Sequence, residues 1–270
     1  MTRDTTQRKI SDNWAKGDLY EPYVGRWSRL VAKEFIDWLA AAPGARWLDV
    51  GCGTGALSET ILRHATPKSV TGIDLSEGFI SLARQRINDS CAAFSVDSAE
   101  SLTCEDNSFD AAVSGLVLNF VPHPERAVVE MRRVTVPEGA VAVYVWDYAG
   151  KMELMRYFWD AASALDKAAI EFDEGRRFPL CQPELLRQLF ESAGLRDVEI
   201  RPINIETPFH DFDDYWSPFL GGQGPAPGYA MSLSQERRDL LRDHIRARLP
   251  VNEDGSIYLI ARAWAVRGVK

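Results

Sequence analysis

The sequence has few of the features that mark exported, membrane-spanning or zinc-binding proteins. Only four of its 270 residues are cysteines, they lie far apart, and none forms a C-x-x-C pair. This spacing excludes a disulfide framework and a zinc cluster, and it indicates a reducing compartment. No run of 18 or more apolar residues occurs, which excludes a transmembrane helix. The polar residues 1–13 lack the apolar segment of a signal peptide, so we expect a soluble, cytoplasmic protein.

Positive charge is also scarce. The chain has 31 Lys and Arg against 39 Asp and Glu, which gives a formal net charge of −8. An acidic protein is repelled by phosphate backbones, so no nucleic-acid partner is expected. The arginine-rich run at 237–248 alternates with acids and indicates a solvated helix face. The composition is otherwise that of an ordinary globular protein, and the length suits one large domain or one domain with insertions.

Strand-like and helix-like segments alternate along the chain. Helical patterns separate five short apolar segments: Arg46–Val50, Ser69–Asp74, Ala92–Asp97, Phe109–Ser114 and Ala140–Trp146. This alternation is typical of a buried parallel sheet with helices on its faces. Two later segments, 198–205 and 257–264, predict two further strands. We therefore predict an N-terminal helical lid over residues 1–45 and an α/β domain over residues 46–270, with helical cap insertions at about 148–181 and 207–254.

A glycine-rich loop joins the first predicted strand to the helix that follows it. Gly51, Gly53 and Gly55 allow a tight turn and let a ligand approach the backbone closely. The helix N-terminus after the loop offers unpaired N–H groups. Asp74 ends the next strand, where a carboxylate can accept hydrogen bonds from two ribose hydroxyls. The loop and this acid together predict a nucleotide-like ligand.

Two cofactor classes compete for this loop. The pattern Gly51-x-Gly53-x-x-Ala56 satisfies the dinucleotide fingerprint, with Asp74 as its ribose acid. However, the acidic Asp49 inside the loop would repel a pyrophosphate and would suit an ammonium group. A further acid, Asp97, ends the third strand and could accept from the exocyclic amine of an adenine. These acids favour a cofactor with a cationic end over a nicotinamide dinucleotide.

The chain resembles the class I S-adenosylmethionine-dependent methyltransferases of the ubiquinone-biosynthesis-like, small-molecule group. The matching segments are LDVGCGTG, GIDLSEGFISLARQR, VDSAESL and NSFDAAVSGLVLNFVPHPERAVVEMRRVTVPEGAVAVYVW, in the family's order over about residues 46–146. The resemblance implies a Rossmann-like sheet of seven strands whose last strand is antiparallel. It also implies S-adenosylmethionine as cofactor and methyl transfer to a small or medium-sized, partly hydrophobic acceptor. The turn at 135–139 departs from the family pattern, in which a Lys precedes the proline and Gly-Gly follows it, but this turn lies away from the cofactor in the family.

The resemblance also implies which residues hold the methionine and ribose parts of the cofactor. Gly51, Gly53 and Gly55 would line the methionine part, and Asp49 would lie near its ammonium group. Asp74 would bind the ribose hydroxyls.

The adenine and sulfonium ends fall at the next strand ends. Leu75 would pack against the adenine, Asp97 would face its amine, and the backbone of Ser98 and Ala99 would lie beside the ring. The residues expected near the sulfonium follow the fourth strand: Ser114, Gly115 and Leu116.

The N-terminal segment contains Tyr20, Tyr23 and Arg26 and has two interpretations. It could be an amphipathic segment that packs on the sheet. Alternatively it is a lid over the cofactor, in which Arg26 pairs with the methionine carboxylate and one of the tyrosines faces the sulfonium. Similar families place an N-terminal Tyr and Arg there.

Further choices stay open at this point. His123 could act as a general base or simply begin a surface helix, so no catalytic residue is assigned, and no metal is expected. The aromatic residues between 209 and 219 are either core or part of a substrate cap. The sequence allows a homodimer. The alternative functions are a nicotinamide-dependent oxidoreductase and a non-catalytic protein that binds S-adenosylmethionine.

Overall fold

A computed structural model describes residues 25–221 and 224–270. Most of the predicted lid, including Tyr20 and Tyr23, lies outside the described residues. The division into a lid and a domain therefore stays a prediction.

The described residues contain one seven-stranded sheet with the order β3-β2-β1-β4-β5-β7-β6. Its strands are β1 Arg46–Val50, β2 Ser69–Asp74, β3 Ala92–Val96, β4 Phe109–Gly115, β5 Thr135–Trp146, β6 Arg196–Phe209 and β7 Ile257–Val269. The first five strands pair in parallel, whereas β7 is antiparallel to both β5 and β6. The predicted α/β fold with an antiparallel last strand is thus confirmed.

Helices connect these strands and cover both faces of the sheet. They are α1 Arg26–Leu39, α2 Ala56–His64, α3 Glu77–Arg86, α4 Pro124–Val134, α5 Glu153–Leu165, α6 Glu174–Arg177, α7 Pro183–Ser192, α8 Phe212–Trp216, α9 Pro225–Ser232 and α10 Gln235–Arg246. Their starts follow ordinary capping rules: the Ser76 hydroxyl accepts the Phe79 N–H at the start of α3, and Pro124 occupies the first turn of α4. Within the described ranges, no helix is long and apolar enough to cross a membrane.

The strand order reverses direction between β1 and β4, and this reversal positions the site. The chain moves outward through β2 and β3 on one side of β1 and through β5 on the other side. In open parallel sheets, ligands bind in the crevice beyond the carboxyl ends of the strands at such a switch point. The glycine loop after β1 and residues 115–117 at the end of β4 border this crevice.

One buried apolar cluster joins α1, one face of the sheet and the two cap insertions. It includes Phe35 of α1, Trp47 of β1, Phe158 of α5 and Tyr229 of α9. The predicted insertions contain α5 and α6 in the first and α8, α9 and α10 in the second. All five aromatic residues between 209 and 219 are buried in this cluster: Phe209, Phe212, Tyr215, Trp216 and Phe219. These aromatic residues form core, and none of them lines the cavity at the switch point.

Candidate functional site

A cavity of about 220 Å³ opens at the switch point. Its lining combines the glycine loop, the start of α2, the ends of β1, β2, β4 and β5, the residues that follow β4 and β5, and one residue each of α1 and α3. The lining residues are Ser28, Asp49, Gly51, Cys52, Gly53, Thr54, Ala56, Leu57, Asp74, Phe79, Gly115, Leu116, Val117, Phe120, Tyr144, Trp146 and Tyr148. Of the predicted site residues, the structure brings together here Asp49, Gly51, Gly53, Asp74, Gly115 and Leu116.

The backbone of the glycine loop takes up a conformation that side chains disfavour. Gly51, Gly53 and Gly55 have φ angles of 72°, 54° and 91°, in the left-handed region that glycine enters without a penalty. A Cβ on Gly51 would lie 2.5 Å from a methyl group of Val117, whereas nothing lies within 4 Å of a Cβ built on Gly53. Gly51 is therefore required by packing, and Gly53 leaves open space for a ligand.

Asp49 places an incompletely paired carboxylate under the loop. Its side chain is 1% exposed, and its Oδ2 accepts a hydrogen bond of 2.6 Å from the Ser58 hydroxyl. The second oxygen, Oδ1, has no hydrogen-bond partner among the described residues. Burial raises the pKa of Asp49 from 3.8 to about 7, because a charged carboxylate is disfavoured away from water. A cation in the cavity would satisfy this oxygen.

Asp74 ties the end of β2 to the glycine loop. One carboxylate oxygen accepts the Gly53 N–H at 3.0 Å, and the other accepts the Ser76 N–H at 2.8 Å. Burial raises the pKa of Asp74 above its ordinary value, although these two backbone donors oppose the shift. Each carboxylate oxygen has two lone-pair sites. Asp74 can therefore hold the loop and still accept two ligand hydroxyls.

The predicted adenine residues lie outside the cavity lining. Leu75 is 71% exposed, and Asp97 accepts hydrogen bonds from the backbone of Ser98 and from the N–H and hydroxyl of Thr103. Asp97 thus stabilises its own loop in the described arrangement. The adenine contacts of Leu75, Asp97, Ser98 and Ala99 stay predictions.

Of the three residues predicted near the sulfonium, at the end of β4, only two line the cavity. The Ser114 hydroxyl donates to the Val50 carbonyl at 2.7 Å and is buried between β1 and β4. Gly115 and Leu116 reach the cavity, and Leu116 has a φ of 65°. Ser114 therefore links β1 to β4, and Gly115 and Leu116 line the cavity. Gly55, which is also outside the lining, packs against Ile87.

Arg26 does not reach the cavity. Its Nη1 lies 2.9 Å from Oδ1 of Asp214 in α8, and its guanidinium covers the rings of Trp27 and Phe209. Residues two apart on a helix point about 200° apart, and it is Ser28 that lines the cavity. The predicted contact of Arg26 with a methionine carboxylate stays untested, and the described arrangement makes Arg26 an anchor between α1 and the cap.

Two variants separate these roles of Arg26. We expect Arg26→Ala and Asp214→Ala each to lower the Tm by roughly 2–4 °C, as for the loss of an interaction worth about 1 kcal/mol in a chain of this size. We expect neither variant to change the affinity for S-adenosylmethionine, measured by calorimetry, by more than about twofold, an energy below 0.5 kcal/mol. A loss of affinity confined to Arg26→Ala would instead support the predicted carboxylate contact.

Sequence reasoning missed the aromatic wall of the cavity. Tyr144 and Trp146 alternate along the end of β5, and Tyr148 follows them. Phe120 lines the cavity after β4, and its ring packs edge-on at 5.0 Å against Phe178. The signal was available, because alternate residues at the carboxyl end of a central parallel strand face one side of the sheet at the ligand crevice.

His123 begins α4 at the surface. Its Nδ1 lies 3.5 Å from Glu125, with half of its side chain exposed, and it does not line the cavity. The structure thus favours the helix-start interpretation over a catalytic base.

The cavity offers hydrogen-bond acceptors for two parts of S-adenosylmethionine, its ammonium group and its ribose. The unpartnered Oδ1 of Asp49 offers an acceptor to an ammonium group, and Gly53 leaves room beside it. Asp74 keeps free lone pairs for ribose hydroxyls. A pyrophosphate would instead meet two carboxylates at this loop, which disfavours a dinucleotide.

Comparisons with known proteins agree with this fit. The family model for the methyltransferase domain matches residues 48–143. A demethylmenaquinone methyltransferase of Renibacterium salmoninarum is 38% identical over 118 residues, which are 44% of this chain and 46% of that protein. Its counterpart in Staphylococcus aureus strain JH9 is 29% identical over 188 residues, 65% of this chain and 76% of that protein. The match thus spans about half the length of the first relative.

A solved structure carries a similar fold together with the cofactor. Phosphoethanolamine N-methyltransferase 2 of Haemonchus contortus, in complex with S-adenosyl-L-methionine, has a TM-score of 0.58 and 18% identity. The match covers 98% of this chain and 58% of that one. At this identity the likeness concerns the fold alone. These similarities favour neither the oxidoreductase nor the non-catalytic alternative.

Proposed function

We propose that this chain, which belongs to the class I S-adenosylmethionine-dependent methyltransferases, transfers a methyl group to a small or medium-sized, partly hydrophobic acceptor by in-line displacement. The methyltransferase domain model that matches residues 48–143 supports both the predicted family and S-adenosylmethionine as cofactor. The observation that carries the proposal is that Asp49, whose Oδ1 has no partner among the described residues, and Asp74 line one cavity at the glycine loop.

The chain's residues bind and orient the cofactor in this proposal. Asp49 would hold the ammonium group, Gly51 and Gly53 would border the methionine part, and Asp74 would hold the ribose. When bound, the cofactor supplies a methyl group on a sulfonium, which is an excellent leaving group. The protein therefore needs mainly to position the acceptor and to exclude water.

The acceptor side of the cavity is apolar and aromatic. Among the described lining residues, none is Lys, Arg or His. Phosphates and carboxylates usually need such partners, so a neutral acceptor is favoured. Burial keeps the Cys52 thiol protonated by raising its pKa, and a protonated thiol is a poor nucleophile or base. We therefore assign acceptor binding to the aromatic wall and assign no general base.

The affinity for S-adenosylmethionine should fall at acidic pH. In the free protein the pKa of Asp49 is raised to about 7 by burial, and a bound cation lowers it because it favours the carboxylate. Below pH 7 a proton must therefore leave Asp49 when the cofactor binds. We expect the Kd to rise about tenfold for each pH unit below 7, measured by calorimetry between pH 5.5 and 7, where the cofactor's amine stays protonated.

Asp49→Asn provides the control for this pH dependence. The variant keeps an acceptor oxygen but does not titrate, so its Kd should be weaker at pH 7 and nearly constant across this range. A wild-type Kd that stays flat with pH would contradict the assigned role of Asp49.

Ligand binding and turnover test the proposed function together. S-adenosylmethionine and S-adenosylhomocysteine should raise the Tm, and NADH should not. Turnover would be followed as S-adenosylhomocysteine release in the presence of hydroxylated aromatic acceptors. No stabilisation by either sulfur compound at millimolar concentration would refute the proposal, whereas binding with no turnover of any acceptor would favour the non-catalytic alternative. A cytoplasmic location, a homodimer and the lack of a nucleic-acid partner stay predictions.

A further inference from the structure

Trp146 of the aromatic wall carries a buried N–H group. The residue ends β5, lines the cavity and is 2% exposed. Its Nε1 has no hydrogen-bond partner among the described residues. An indole nitrogen is a donor only, and leaving such a donor buried and unpaired costs about 1–3 kcal/mol. An acceptor atom that reached this N–H from the cavity would remove the penalty.

The cavity contains a second unpartnered atom of opposite character. Oδ1 of Asp49 is an acceptor and lies at the glycine loop, where the proposed function places the cationic end of the cofactor. Trp146 lies on β5, two strands away from β1. Oδ1 of Asp49 thus needs a cation or a donor, whereas the N–H of Trp146 needs an acceptor, and the two residues lie on different strands of the sheet.

The neighbours of Trp146 favour the acceptor substrate as its partner. Tyr144 precedes it on the same face of β5, and a Cβ on Gly115 would lie 2.5 Å from the Tyr144 hydroxyl. Tyr144 therefore packs directly over the end of β4, where the sulfonium is expected. Tyr148 follows Trp146 and packs at 5.7 Å against Phe178. Trp146 therefore lies between these two tyrosines in the amino-acid sequence.

We propose that Trp146 is a positioning residue whose indole N–H donates to a hydroxyl or carbonyl oxygen of a planar, neutral acceptor. This inference rests on the proposed methyltransferase function. The aromatic wall binds the planar group, and the N–H selects the orientation that turns its oxygen toward β5. An acceptor that lacks the oxygen leaves the donor unpaired and binds more weakly.

The closing experiment compares naphthol with naphthalene by calorimetry on protein saturated with S-adenosylhomocysteine. These two probes differ by one hydroxyl group. Wild type should bind naphthol about tenfold more tightly, as expected for one hydrogen bond that satisfies a buried donor, and Trp146→Phe should lose this preference. The indole N–H resonance of Trp146, assigned by its absence in the variant, should move downfield when naphthol binds.

Trp47→Phe is the matched control. Trp47 is also fully buried with an unpartnered Nε1, but it does not line the cavity. Trp47→Phe should keep the naphthol preference, even if it lowers the Tm as much as Trp146→Phe does.

Three results would overturn the proposal. The first is a preference for naphthol that survives in Trp146→Phe, and the second is equal binding of both probes by wild type. The third is a loss of S-adenosylhomocysteine affinity in Trp146→Phe, which would assign the N–H to the cofactor. Failure of the methyltransferase function is distinguishable, because wild type would then not bind S-adenosylhomocysteine at all.

Discussion

Replacement of Asp74 by alanine is expected to raise the Kd for S-adenosylhomocysteine by about 100-fold or more, from the loss of two charge-assisted hydrogen bonds worth about 1.5–3 kcal/mol each. The carboxylate already accepts the backbone N–H groups of Gly53 and Ser76. The variant therefore removes both the proposed ribose acceptors and the contacts that hold the loop. Calorimetry would measure the affinity, and circular dichroism would report the fold.

Two further variants make this result specific. Asp74→Asn keeps one acceptor oxygen without the charge and should fall between wild type and alanine. Asp110→Ala also removes an aspartate and an ion pair, with Arg46 at 2.9 Å, but Asp110 does not line the cavity and the Kd should stay unchanged. An Asp74→Ala protein that is folded and binds within about threefold of wild type, less than 0.7 kcal/mol, would refute the ribose assignment.

Replacement of Glu174 by glutamine should raise the free energy of unfolding at pH 8 by about 3 kcal/mol. Glu174 is 2% exposed and accepts a hydrogen bond from the indole N–H of Trp159. Burial raises its pKa from 4.5 to about 7, and the neighbouring charge of Asp173 adds to the shift. Glutamine keeps an oxygen for Trp159 and never ionises.

The sign of this effect depends on pH. Below pH 4.5 the carboxyl is protonated in both the folded and the unfolded chain, so it contributes no penalty. Between pH 4.5 and about 7 only the unfolded chain releases the proton, and stability falls as pH rises. Above pH 7 the full penalty is present. Glu174→Gln should therefore match wild type at pH 4.5 and exceed it increasingly up to pH 8.

Urea unfolding at several pH values measures this difference. Glu171→Gln is the control, since Glu171 lies three residues away on the surface and should leave the stability unchanged within about 0.5 kcal/mol. A Glu174→Gln protein that is equally or less stable than wild type at pH 8 would show that the carboxyl is ionised and well paired in the folded state.

The conformation of the glycine loop was predictable because its constraints are local. The positive φ angles of Gly51, Gly53 and Gly55 follow from a turn that only glycine makes easily. Asp49 and Asp74 sit where any parallel sheet places residues at its carboxyl edge. These positions therefore needed no knowledge of distant contacts.

What the sequence could not reveal came from long-range contacts. The partner of Arg26 is Asp214, 188 positions away, which no local pattern reveals. Strand β6 extends to Phe209, past the predicted end at 205, although it contains Pro202 and Pro208. It is an edge strand, and proline is tolerated there because its missing N–H need not serve a neighbour. The pairing of β6 with β7, and not propensity, sets its length.

The shared core of α1, the sheet and the insertions bears on how new specificities could be made in this protein. Phe158 of the first insertion stacks at 4.6 Å on Phe219 of the second, and Trp27 of α1 meets Phe209 edge-on at 5.6 Å. Among the described residues, α1 and the two insertions therefore share one core, with no boundary between them at which an insertion could be exchanged as a module. Grafting one insertion from a relative would leave unmatched aromatic surfaces on the other insertion and on α1. Acceptor preference in this chain should therefore change by substitutions in the cavity wall more readily than by segment exchange.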